Sequence, residues 1–239
     1  MTMTMRGFVI FQKIVEGESK MTERKILDTI NEIIFLAKGN AEKYIALAEL
    51  TKLKSNLEDD IAVSEAKKNG NSNILKAVKS ILKRVPNERQ ILNLVYKDDG
   101  YIVTNGYEIL SYNGNLNINA VAELPETYPL AFIKSILDTF PKIQDDKTFA
   151  ELQIPAKTEL KNIISEQKAI NKLNKLKDSP IYKITDDESV RVDINAEFLL
   201  NAIEAGITKF YNRGDLFYCH NEDMSVKYVI CGHLRPTKK

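Results

Sequence analysis

The sequence predicts an α+β protein in which a helical N-terminal region precedes two segments of helix followed by antiparallel β-meander. Three observations carry this. Apolar residues recur at three- and four-residue steps from Thr22 to Val85. Short apolar runs separated by Asp-Gly and Asn-Gly turns take over after Pro86. The same order of helix and then meander returns after residue 196.

Residues 1–20 place Arg6 before a short apolar run, Phe8 to Phe11, without a small-residue cleavage pattern. They are expected to form a strand or a poorly ordered extension, with Met21 opening the first helix. Over Thr22 to Lys38 the apolar positions Ile26, Leu27, Ile30, Ile33, Ile34 and Ala37 line one face, and Gly39-Asn40 ends it. Ala41 to Leu57 and Asp59 to Lys68 continue the helical pattern until Asn69-Gly70-Asn71-Ser72 breaks it. This makes residues 21–71 a helical region and 72–239 an α+β region. Ser72 or Asn73 caps the next helix, whose stripe of Ile74, Leu75, Val78, Ile81, Leu82 and Val85 stops at Pro86.

Strands are expected at Gln90 to Lys97, Tyr101 to Asn105 and Tyr107 to Tyr112, with tight turns at Asp98-Asp99-Gly100 and Asn113-Gly114. Helices follow at Leu130 to Phe140, between two prolines, and at Ala156 to about Leu176. Ile181 to Thr185 and Val190 to Asp193 read as strands leading into a helix over Ala196 to Ala205, ended by Gly206. Thr208 to Tyr211, Leu216 to His220 and Val226 to Leu234 close the chain as strands. An internally duplicated α+β domain gives this order after long divergence, and so does an unrelated α+β fold.

The 239 residues carry 34 lysines plus arginines against 33 acids, with 44% hydrophobic residues. That balance describes a globular chain and excludes disordered and fibrous classes. A net charge of +1 gives no global attraction to nucleic acid, so any such surface has to come from local clustering. The longest apolar runs fall far short of the roughly 18 residues of a spanning helix. Two cysteines without a secretory leader point to a reducing cytoplasm.

The sequence contains no nucleophile elbow, P-loop, dinucleotide fingerprint or paired-histidine zinc motif. Cys219, His220, Cys231 and His233 are the one metal-like group. Strand alternation turns Cys219 and His220 to opposite faces, and a simple hairpin puts Cys219 opposite about residue 228 instead of Cys231. Core thiols and strand histidines are therefore expected, with no metal, no cofactor and no catalytic residue. The acid pairs Asp59-Asp60, Asp98-Asp99, Asp145-Asp146 and Asp186-Asp187 read as turn and cap residues.

The sharper signal is electrostatic. Lys76, Lys79, Lys83 and Arg84 occupy the polar face of the helix that begins at Asn73, with no acid among them, and suit a row of phosphates. A solvated lysine face is the other reading. Lys157, Lys161, Lys168, Lys172, Lys175 and Lys177 form a second run diluted by Glu159, Glu166 and Asp178, whereas Glu197 and Glu204 make the helix near Ala196 acidic.

Four stretches resemble the bacterial DNA polymerase III β subunit, the sliding clamp. Tyr101-Ile102-Val103-Thr104-Asn105-Gly106-Tyr107-Glu108-Ile109-Leu110 is similar to the family's A-T-D-G-x-R-L turn, with Asn105 for the aspartate and Glu108 for the arginine. Gln153-Ile154-Pro155-Ala156-Lys157 resembles its I-P-x-K segment, and Asp193 to Ile203 resembles its N-x-x-Y-L-x-x-A-L helix. Tyr228-Val229-Ile230-Cys231 stands where the family ends in Y-V-V-M-P. The chain is shorter than a three-domain clamp protomer, and its helical N-terminal region has no clamp counterpart.

The resemblance implies a non-enzymatic replication accessory protein of a phage or mobile element, with helices facing duplex DNA and a pocket for peptides of replication proteins. It places that pocket on Thr104, Gly106, Tyr107, Glu108, Ile109, Pro155, Leu160, Val229 and Cys231. With Glu108 replacing a cation, a basic residue is expected in the partner peptide. The alternative is a regulatory or inhibitory interaction module without DNA binding. A homo-oligomer is compatible with either.

Overall fold

The computed structural model describes residues 23–37, 44–84, 94–97, 100–118, 128–185 and 192–234. The expected leader, the Val85-Pro86 stop, the Asp98-Asp99 half of the first turn and Val190 lie outside them. The chain divides into two compact units, 1–69 and 70–239. In the first, α1 (Glu23–Ala37) packs against α2 (Tyr44–Lys68). α2 is one continuous helix of 25 residues, without the interruption at Glu58 that the sequence suggested.

The second unit is α+β. It opens with α3 (Ser72–Lys83), whose cap position is Asn71, so Ser72 is the first helical residue and not the cap. Strands β1 (Leu94–Lys97), β2 (Tyr101–Thr104) and β3 (Glu108–Tyr112) follow as an antiparallel meander. α4 (Tyr128–Leu137), a 3-10 turn (Phe140–Lys142) and the short β4 (Ala150–Glu151) lead to α5 (Lys157–Asn174). After β5 (Ile181–Tyr182) and β6 (Val192–Asn195) comes α6 (Ala196–Glu204). Asn195 Oδ1 caps α6 by accepting from the Glu197 N–H at 2.9 Å. The chain then runs through β7 (Lys209–Arg213), β8 (Leu216–His220), β9 (Val226–Cys231) and β10 (His233–Leu234).

The main sheet has the order β1-β2-β3-β9-β8-β7-β4, antiparallel throughout. Read outward from the β3–β9 seam, each side is the last, middle and first strand of one meander, and each meander is preceded by a helix, α3 or α6. The two halves are thus related by a topological two-fold axis through the seam. β5, β6 and β10 form a separate small antiparallel sheet.

Strand alternation gives the sheet two buried faces. Val103, Leu110, Tyr228 and Phe217 share the face against which α3 and α6 pack. α3 buries Ile74, Leu75, Val78 and Ile81 of the expected stripe there, together with Ala77, while Leu82 is only half-buried and Val85 lies outside the described residues. Ile102, Ile109, Val229 and Tyr218 point the other way, into a core completed by Ile133, Ile136 and Leu137 of α4 and by Phe140. The middle of the sheet is therefore covered on both sides.

Candidate functional site

The hairpin between β2 and β3 is built by side chains. Gly106 adopts φ +85°, the left-handed conformation that glycine takes without a Cβ penalty. Thr104 Oγ1 accepts from the Gly106 N–H at 3.0 Å, and Asn105 Oδ1 accepts from the N–H groups of Tyr107 and Glu108, both at 3.0 Å. These bonds turn the Asn105 amide nitrogen inward, where it donates to Ile81 O at 3.3 Å and to Glu108 Oε1 at 2.9 Å.

Glu108 has no exposed surface. It follows the Leu110 and Tyr112 alternation onto the face under α3 and α6, so its carboxylate is buried in what is otherwise core. Arg84 Nη1 lies 3.0 Å from Oε1, and the Tyr228 hydroxyl donates to Oε2 at 2.5 Å. Burial, followed by the adjacent Glu108 carboxylate, holds the Tyr228 hydroxyl well above its ordinary pKa, so it remains a donor. That hydroxyl in turn accepts from Asn201 Nδ2 of α6 at 2.8 Å, and Asn201 also donates to Ala77 O at 3.3 Å. One buried network thus joins α3, the β2–β3 turn, β9 and α6.

Arg84 is correspondingly committed. Its Nη2 donates to Glu197 O at 3.3 Å, and the guanidinium lies 5.3 Å from the centroid of the Phe198 ring. Of the four cations expected to meet phosphates, Arg84 is therefore turned inward, because an unpaired carboxylate at position 108 would be costly. Lys76 and Lys83 are exposed and Lys79 is half-buried on the outer side of α3.

The nine positions expected to form a peptide pocket separate into groups. Gly106, Tyr107 and Cys231 do come together: the Cys231 N–H donates to Tyr107 O at 2.8 Å, and Cys231 Sγ is 4.0 Å from Gly106 O. Thr104 is buried beside them as a turn residue, and Tyr107 is 40% exposed. Ile109 and Val229 are cross-strand neighbours inside the core under α4. Pro155 and Leu160 are buried at the start of α5, which packs on α6 and β5, in the helical layer on the other side of the sheet. Glu108 is not placed to meet a basic residue of a partner, since its charge is used internally.

A groove of about 450 Å³ opens among α3, α5 and α6. Ile164 and Leu200 supply its apolar surface, Ser80, Lys83 and Arg84 one wall, and Asn201 part of the opposite one. Two ion pairs tie α5 to α6 along its rim, Lys168 to Glu197 at 3.0 Å and Lys161 to Glu204 at 3.9 Å. Sequence reasoning missed Lys168, Leu200 and Asn201 as site residues. A polar Asn201 within the buried run of Leu199, Ala202 and Ile203 was the available signal, as was the acid at 108 in an apolar alternation.

Cys219 pairs with Tyr228 and Cys231 with Leu216, as the hairpin register required. Burial raises both thiol pKa values, which opposes thiolate formation. His220 points to the α4 side, stacked on Tyr211 with ring centroids 5.7 Å apart; its Nδ1 lies 2.7 Å from Asn221 O, and its buried Nε2 makes no hydrogen bond among the described residues. Among the described residues no three histidine, cysteine or acidic side chains are placed to share a metal ion, and no helix is long and apolar enough to cross a membrane. No family model, curated protein or solved structure matches the chain.

Proposed function

We propose that this chain is a non-enzymatic, clamp-like accessory protein of DNA replication, acting in the cytoplasm, that touches duplex DNA through backbone charge and recruits partner peptides. The observation that carries the reading is the paired arrangement of α3 and α6, one from each helix–meander half, lying together on one face of a sheet with two-fold topology. Such a face offers a rigid double-helix platform, and Lys76 and Lys83 project from it into solvent. Contacts of that kind are sequence-independent and salt-sensitive, because they displace counterions from phosphates.

The test is fluorescence anisotropy of a labelled duplex at low salt. Weak binding that strengthens as salt falls is expected, with the Lys76→Glu, Lys83→Glu double variant binding more weakly and the slope of log K against log salt falling by about 1 per lysine. Unchanged affinity in that variant overturns the DNA half of the reading. A second reading, an interaction module without DNA, is favoured by one observation: Arg84 is internally neutralised, and acids of α6 face lysines of α5. Absence of duplex binding by the wild type with retained peptide binding selects it.

A further inference from the structure

We infer that the groove among α3, α5 and α6 is a docking site for a short peptide that lays an apolar side chain over Ile164 and Leu200 and brings a carboxylate to Lys83. Its volume, about 450 Å³, lies within the range of clefts that hold small ligands. The charges on its walls are mostly spoken for. Glu197 is held by Lys168, Glu204 by Lys161, and Arg84 by the buried Glu108. Lys83 is exposed and has no ion-pair partner among the described residues, so the uncompensated charge of the groove is one ammonium group.

Asn201 adds a directional requirement. It is 7% exposed, and its amide nitrogen is used by Ala77 O and the Tyr228 hydroxyl. Its Oδ1 accepts no hydrogen bond among the described residues and is not one of their buried unpartnered atoms, so it stands open as an acceptor for a donor from the ligand. A backbone N–H meets that need beside an apolar side chain. Nucleotides fit less well, because none of the described residues lining the groove is an aromatic side chain on which a base could stack. The site therefore selects peptide chemistry with an apolar anchor next to an acid. It lies away from the Gly106, Tyr107 and Cys231 cluster that the clamp resemblance marked.

This inference rests on the partner-binding half of the function proposed above and is independent of its DNA half. The experiment is a titration of the isotope-labelled full chain with a capped hexapeptide holding leucine beside aspartate in a glycine–alanine frame, followed by amide shifts. Saturable shifts confined to residues near Ser80–Arg84, Ile164–Lys168 and Leu200–Glu204 are expected. Affinity should fall about fivefold when the aspartate of the peptide becomes asparagine, and at least as much in Lys83→Glu, the scale of one exposed ion pair. Lys76→Glu, which weakens DNA binding, should leave it unchanged, so failure of one proposal is separable from failure of the other. Unshifted amides in β3 and β9 verify that each variant is folded. No saturable shift at millimolar peptide, equal affinity in Lys83→Glu, or stronger shifts of the same amides by adenosine monophosphate overturns the inference.

Discussion

A carboxylate with no exposed surface makes the stability of the second unit sensitive to the single cation that faces it. Removing Arg84 leaves Glu108 charged and unpaired between α3 and β3, so Arg84→Met is expected to cost about 3–5 kcal/mol in urea unfolding. Adding Glu108→Leu to that variant should recover most of the loss, since the pair as a whole contributes little net stability. Tyr228→Phe removes a donor from the same carboxylate and should cost about 1–3 kcal/mol. Cys219 supplies a pH signature. Its folded-state pKa is raised by burial, so above about pH 8.5 the unfolded chain releases a proton that the native state keeps, and stability present below that pH declines by up to about 1.4 kcal/mol per unit. Cys219→Val should flatten this alkaline loss in unfolding measured from pH 8 to pH 10. At this scale the sequence was partly legible. Position 108 could be singled out, but its partner Arg84 lies 24 positions away and its donor Tyr228 lies 120 away, separations that no local pattern records.

At the scale of elements, helices were legible because burial of one face enforces a period of 3.6, which is why Ile74, Leu75, Val78 and Ile81 of the α3 stripe are buried as their spacing required. Short strands were less so. Ala150–Glu151 pairs with β7 through two exposed residues that carry no alternation to read. Val226 to Leu234 looked like one strand, yet the Gly232 N–H donates to Asp215 O at 2.7 Å, and the chain leaves the main sheet to pair as β10 with β6. A Cβ at position 232 would meet Asp215 O at 2.9 Å, so only glycine fits that departure without displacement. The end of α6 makes a separate prediction. Gly206 has φ +99° with open space around it, so Gly206→Ala should cost about 1–2 kcal/mol of stability through backbone strain alone, read in calorimetry as a lower melting temperature.

For the molecule as a whole, the repeated order of helix and meander could be read from sequence, whereas the seam that unites the halves could not, because antiparallel pairing of β3 with β9 depends on residues more than a hundred positions apart. Strands at that seam have neighbours on both edges and helices over both faces. Their amide hydrogens should exchange most slowly, and those of β4 at the margin among the fastest, in native-state hydrogen exchange. The same seam governs how the chain is born. Synthesis completes β3 long before β9, so the inner edge of β3 waits with its backbone donors and acceptors open, a state that invites wrong pairing. A two-fold relation makes the wrong partner easy to identify: the β3 of a second nascent chain approaches antiparallel, about a true two-fold where the pseudo-axis stands. Chains ending before Val226 should therefore associate in pairs through this strand, and full-length chains refolded at high concentration should yield exchanged dimers that dilution resolves slowly.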